Sequence, residues 1–94
     1  MIIAVDFDGT IEKDGKPNMP LINRLWEEQR RGNTIILWTC RCGTKLYEAL
    51  DFMIRFGLRP NYVNANTPEM IRKFGSDSRK VYADVYIDDK AVRA

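Results

Sequence analysis

Apolar positions along this chain follow two alternating rhythms, short continuous runs and stripes of helical spacing. The runs are Met1 to Val5, Ile35 to Trp38, the pair Tyr62-Val63, and a stretch from about Val81 to Ile87. Short apolar runs bounded by turn residues predict strands of a sheet covered on both faces. Between them, Leu21, Ile22, Leu25 and Trp26 share one face of a helix starting near Pro20, with Asn18 as its cap and Gly32 as its stop. A second helix is predicted from about Thr44, turning Leu46, Leu50, Met53 and Ile54 inward and stopping at Gly57. Thr67-Pro68-Glu69 opens a third with a cap residue, a first-turn proline and a first-turn acid, and Phe74-Gly75 closes it. The polar stretch from Glu12 to Pro17 predicts a short hairpin flap. Strands alternating with helices give β-α-β units, right-handed crossovers and a mainly parallel sheet, hence an α/β fold. Trp26 and Trp38 are expected in the core.

The first run ends abruptly in Asp6-Phe7-Asp8-Gly9-Thr10. In open α/β sheets, ligands bind beyond the carboxyl ends of the strands. Asp6 stands at such an end, and Asp8 follows where Gly9 permits a backbone turn closed to other residues. Such a sequence also simply caps turns. The pattern recurs in Val85-Tyr86-Ile87-Asp88-Asp89, however, and two adjacent strands ending this way would gather four carboxylates. Like charges ~4 Å apart repel by roughly 4 kcal/mol at the effective dielectric of a protein surface. Such a cluster calls for protonation or a counter-cation, and oxygen donors with a phosphate and waters favour Mg²⁺. Asp84, inside the last strand pattern, reads as a turn or edge residue.

Composition narrows the chemistry. Ninety-four residues, 45% apolar and 30% charged, make one ordinary domain, residues 1–94, with no internal repeat. No apolar run reaches the ~18 residues of a membrane span, and the first residues lack a signal peptide's charged start, so a cytoplasmic protein with no membrane partner is expected. The net charge of +2, from scattered bases, does not by itself imply nucleic acid. The sequence contains no histidine, which excludes histidine-based triads and leaves proton transfer to carboxylates or lysine. Cys40 and Cys42 cannot assemble a four-ligand zinc site, and a disulfide across one residue would be badly strained. Both are read as free structural thiols near the site.

These residues carry a resemblance. Asp6-Phe7-Asp8-Gly9-Thr10 resembles the first motif of the haloacid dehalogenase (HAD) superfamily of aspartate-nucleophile phosphatases, Ile35 to Thr39 its second, and Asp88-Asp89 its fourth. The basic third motif is best matched by Lys80, with Lys73 a weaker match. The match runs from Met1 to Lys90 and is nearest to small capless members related to 5'-nucleotidases. It implies a three-layer Rossmann-like fold whose first strand lies between the second and the last, bringing Asp6, Thr39 and Asp88 together. The chain departs from the pattern by stopping five residues after Asp89, where relatives continue into a helix, so it reads as C-terminally short.

The resemblance implies a Mg²⁺-dependent phosphomonoesterase. Asp6 would be the nucleophile, forming an aspartyl-phosphate, and Asp8 the general acid and base. Thr39 and Lys80 would hold and neutralise the phosphoryl group. Gly9, Thr10, Cys40 and Arg41 would border the substrate, with Arg41 near the leaving group. Metal-binding residues would be Asp6 and Asp88 directly and Asp89 from the outer shell or through water, together with Asp8 through its main-chain carbonyl. Candidate substrates are a nucleoside monophosphate, a sugar phosphate, or the phosphorylated end of a macromolecule such as a nucleic acid. With an open site, a neighbouring subunit of a homo-oligomer would be one source of specificity. The rival from another class is a non-catalytic HAD-like module that binds a phosphorylated ligand or a protein; a phosphotransferase or mutase is a third reading.

Overall fold

The structure is a computed structural model and describes residues 1–75, 81–89 and 92–93. Strand β1 (Ile2–Val5) forms the centre, as its buried run requires. A small antiparallel hairpin follows, β2 (Glu12–Lys13) with β3 (Lys16–Pro17), then helix α1 (Met19–Arg30), strand β4 (Thr34–Leu37), helix α2 (Gly43–Arg55), strand β5 (Tyr62–Val63), helix α3 (Pro68–Phe74), strand β6 (Val85–Ile87) and strand β7 (Val92–Arg93). The main sheet has the order β5-β4-β1-β6-β7. Its first four strands are parallel and β7 joins β6 antiparallel, so the fold is α/β with a mainly parallel sheet.

The helices begin where the cap residues direct. The Asn18 side chain accepts from the Leu21 N–H and that of Thr67 from the Met70 N–H, each satisfying a first-turn donor. Gly75, at φ +80°, ends α3 in the left-handed conformation. Ile22 and Leu25 of α1 and Ala49 and Met53 of α2 pack on Ile3, Val5, Ile35 and Leu37, forming the larger core on one face of the sheet. The other face holds a smaller cluster of Ala4, Ile36, Val81 and Ala83, flanked by half-buried Ile2, Tyr62 and Tyr86.

Four expectations are corrected. Trp26 and Trp38 are not core residues: they are 41% and 42% exposed. Ile54 is also exposed; Ala49, small enough to fit directly against the sheet, takes the inward position on α2. The last strand starts at Val85 instead of Val81. Residues 81–84 follow a looped course held by specific bonds. The Tyr86 hydroxyl donates to the Val81 carbonyl at 2.6 Å and accepts from the Ala83 N–H at 3.0 Å, while the Tyr82 N–H donates to Asn66 Oδ1 at 2.6 Å. Asp84 brackets Ile2, accepting from its N–H at 2.7 Å and donating its own N–H to the Ile2 carbonyl at 2.8 Å, which fits its reading as a turn residue.

Candidate functional site at the carboxyl ends of the strands

The parallel ladder continues one step beyond the regular strands. The Asp6 N–H donates to the Ile87 carbonyl and the Trp38 N–H to the Val5 carbonyl, each at 2.9 Å. Since Val5 is in register with Leu37 and Ile87, the next residues, Asp6, Trp38 and Asp88, stand level at one edge. They line a cavity of about 380 Å³ with Thr39, Cys40, Tyr86, Ile87 and Asp89. That volume lies within the range of small-molecule sites.

Asp6 sits half-buried at the base of this cluster. Burial pushes its carboxyl above the usual carboxylate value; a hydrogen bond from the Phe7 backbone opposes the shift, and the charges of Asp8, Asp89 and Asp88 reinforce it. Asp88 and Asp89 reach the site from the end of β6. Gly9 is positioned against Asp89: at φ +76°, a Cβ on Gly9 would lie 3.2 Å from the Asp89 Cβ. Only glycine combines that backbone with that approach.

Asp8 is in a different setting. Arg41 grips its carboxylate with two hydrogen bonds, Nε to Oδ2 at 2.9 Å and Nη2 to Oδ1 at 2.8 Å. These bonds hold the Asp8 carboxyl below its usual value, outweighing the effect of burial, with the charges of Arg41 and Lys45 adding to them. Arg41 is itself fixed by a bond from Nη1 to the Lys45 carbonyl and by its guanidinium lying 4.8 Å from the centre of the Phe7 ring. Arg41, expected near a leaving group, is bound to Asp8.

Thr39 is placed by a residue the sequence reading did not identify. The Asn64 side chain accepts from the Thr39 N–H at 2.8 Å and donates to its carbonyl at 2.9 Å. Asn64 has φ +50°, a conformation asparagine tolerates better than most residues, and its place just after a short strand was the available signal. The Thr39 hydroxyl accepts from the Arg41 N–H at 3.2 Å. Cys40 and Cys42 are free and exposed, with Cys40 at the cavity wall. Gly9 and Thr10 border a separate cleft beneath the β2–β3 hairpin, where Thr10 Oγ1 is buried without a hydrogen-bond partner among the described residues.

Lys80 lies outside the described residues. Lys73, in the last turn of α3, does not line the cavity. Its helix borders a different cleft, through Pro68, Glu69 and Arg72, at the opposite sheet edge beside Met1, Ile2 and Thr34.

A hard divalent cation suits the donors present. Asp6 with Asp88 or Asp89, and the Asp8 carbonyl, are oxygen donors, and the Asp6 carboxyl is raised by burial first and by neighbours of its own sign second, both of which a cation would offset. Among the described residues no three acidic or thiol side chains converge as a ready-made metal cage. Mg²⁺ commonly takes only one or two carboxylates and leaves the remaining positions to water and phosphate, so this donor set fits it. No helix of the described residues is long and apolar enough to cross a membrane.

No protein-family model and no curated protein matches the chain. A solved structure, that of a conserved protein from Bacteroides thetaiotaomicron, is 36% identical, with a TM-score of 0.81, over 97% of this chain and 77% of that one. With that identity over most of both chains, this protein belongs to the same family as the conserved Bacteroides thetaiotaomicron protein.

Proposed function

We propose that this chain is a Mg²⁺-dependent phosphomonoesterase of the HAD superfamily, with a capless, three-layer Rossmann-like fold. The observation that carries the reading is the position of Asp6: it stands at the tip of the central strand, in a cavity shared with Asp88 and Asp89 and with Thr39 at the wall. Ligands of open α/β sheets bind at this edge, and clustered acids there are costly without a function.

In this reading an Asp6 carboxylate oxygen attacks phosphorus in line, and the bond from phosphorus to the ester oxygen breaks as the aspartyl-phosphate forms. Asp8 gives a proton to the departing oxygen, then takes one from the water that attacks the aspartyl-phosphate and releases inorganic phosphate. The Thr39 hydroxyl and the N–H groups after it hold phosphoryl oxygens, and Lys80 offsets the charge of nucleophile and phosphate. Mg²⁺ would supply charge screening and orient the phosphate, with Asp6, Asp88 and the Asp8 carbonyl as the residues that would hold it and Asp89 acting through water. Asp8 must be protonated to act as an acid, so its pair with Arg41 has to loosen when a phosphate enters and competes for the guanidinium.

That same pair favours a second reading, a phosphate-binding module without turnover, because an Asp8 locked to Arg41 has no proton to give. Phosphate release from p-nitrophenyl phosphate, measured with Mg²⁺, with EDTA and with Asp6→Asn, separates the two. Release that requires Mg²⁺ and is lost in the variant supports the phosphatase. Folded, Mg²⁺-binding protein that releases no phosphate from a broad panel of esters supports the module.

A further inference from the structure

Strand β5 is two residues long, and an asparagine at each end of it pairs with β4 as a strand residue would. Asn61 donates its N–H to the Ile35 carbonyl and accepts the Ile35 N–H at its side-chain oxygen, both at 2.8 Å. Asn64 donates its N–H to the Leu37 carbonyl at 2.8 Å and closes on Thr39 with both halves of its amide. The side chains extend a ladder for which so short a strand offers too few backbone groups. One asparagine fastens β5 where β4 begins, and the other where the candidate site begins.

The bonds to Thr39 have a geometric consequence. With its N–H held at 2.8 Å and its carbonyl at 2.9 Å, the peptide planes on both sides of the Thr39 Cα are fixed. In a trans peptide the carbonyl and the following N–H point in opposite directions. The Cys40 N–H therefore points away from Asn64, and β1 with Asp6 lies across β4 from β5. Cys40 lines the cavity with Asp6, and its N–H has no acceptor among the described residues. The Thr39 hydroxyl accepts from the Arg41 N–H, which leaves its own proton to donate. We infer that Asn64 is a positioning residue for phosphoryl binding, holding Thr39 so that the Thr39 hydroxyl and the Cys40 N–H face the phosphoryl group of a ligand at Asp6. This rests on the phosphomonoesterase reading and adds a residue to it; Asn64 does not itself line the cavity.

Two features make the role testable. Asn64 has φ +50°, which glycine adopts without strain, so Asn64→Gly removes the amide alone. Asn61 makes matching bonds at the end of β5 away from the cavity and serves as the control. Wild type, Asn64→Gly, Asn64→Asp and Asn61→Ala are compared in Mg²⁺, each well below its thermal midpoint. Turnover of p-nitrophenyl phosphate and calorimetric binding of inorganic phosphate are read beside Mg²⁺ affinity. Misplacing a binding group by ~1 Å can cost about 100-fold, so Asn64→Gly is expected to lower kcat/KM and phosphate affinity by roughly 10- to 100-fold. Asn64→Asp, which keeps the acceptor for the Thr39 N–H, should fall between. Mg²⁺ affinity should hold, because the carboxylates proposed to bind it follow β1 and β6. Asn61→Ala should lose stability and keep phosphate binding.

An Asn64→Gly protein that matches Asn61→Ala in turnover and phosphate binding overturns the positioning role and leaves the phosphatase standing. Loss of Mg²⁺ and phosphate together does the same, since it marks general damage to the strand tips. Phosphate bound by wild type and weakened in Asn64→Gly, with no ester hydrolysed, keeps the positioning role and sinks the phosphatase. Wild type that neither binds phosphate nor hydrolyses an ester overturns both.

Discussion

Asp6 and Asp8 are separated by one residue, yet the two flanks of the β1 tip treat a carboxylate in opposite ways. On the cavity flank Asp6 is half-buried with Asp88 and Asp89 nearby, and its carboxyl is raised. On the loop flank Asp8 is exposed, held by two hydrogen bonds from Arg41, and its carboxyl is lowered. These directions run opposite to the proposed roles of ionised nucleophile and protonated acid, so the proposed mechanism needs a cation at Asp6 and the release of Asp8 from Arg41. In the proposed reading Asp6 meets a cation and a phosphate, and Asp8 is an ionised base until Arg41 releases it. On one flank burial, reinforced by like charge, raises a carboxyl, and on the other an ion pair lowers one.

The largest effect should come from removing the proton carrier while leaving the cavity carboxylates in place. Asp8→Asn is expected to lower kcat about 10²- to 10⁴-fold, while Mg²⁺ still raises the thermal midpoint, because the Asp8 carbonyl is retained. Equal loss of Mg²⁺ response in Asp8→Asn and Asp6→Asn would erase the distinction between the flanks. Next in size, Gly9→Ala forces a non-glycine residue into φ +76° with its Cβ 3.2 Å from that of Asp89. It should cost about 1–3 kcal/mol of stability in urea unfolding and weaken Mg²⁺ binding. Unchanged unfolding would mean that the loop does not press on Asp89.

Neutralising Asp6 should act in the reverse direction on the metal-free fold. A carboxyl whose folded value is raised contributes stability below the unfolded value, near 3.8, that is lost as pH rises through the folded value. Asp6→Asn in EDTA should therefore be more stable than wild type at neutral pH, read as a higher thermal midpoint. The advantage should shrink on acidification, and a variant less stable at neutral pH contradicts a carboxyl raised by burial and like charge. The smallest effect belongs to Arg41→Ala. The lowered Asp8 carboxyl contributes stability above 3.8 that disappears as pH falls through its folded value. Because the pair is largely in water, its loss should cost only about 0.5 kcal/mol at neutral pH and nothing in strong acid. A penalty independent of pH would assign the loss to packing against Phe7 instead.

The cavity flank was more legible in the sequence than the loop flank. An apolar run ending in acids, repeated as Val85 to Asp89, locates both strands and their tips because β-strand burial is written in consecutive residues. The caps Asn18 and Thr67 and the stop at Gly75 were readable for the same local reason. The strand order came from the family resemblance, since pairing between distant strands leaves no periodic mark. The Asp8–Arg41 pair spans 33 positions and the Asn64 brace on Thr39 spans 25, so neither is visible in local spacing. Trp38 was misplaced in the core because residue type says nothing about where a strand emerges from its cover. The loop before β6 escaped notice because Tyr86, Asp84 and Asn66 hold it by individual bonds that override the apolar run.

The central claim is that Asp6 carries the phosphoryl group, and the most direct measurement is to trap it there. Protein turning over p-nitrophenyl phosphate in Mg²⁺ would be quenched rapidly in acid, and the modified residue located by mass spectrometry. The account predicts a phosphoryl group on the peptide beginning at Met1, assigned to Asp6 and missing from Asp6→Asn. Turnover accompanied by phosphoryl on another residue, or unaffected by Asp6→Asn, would contradict it.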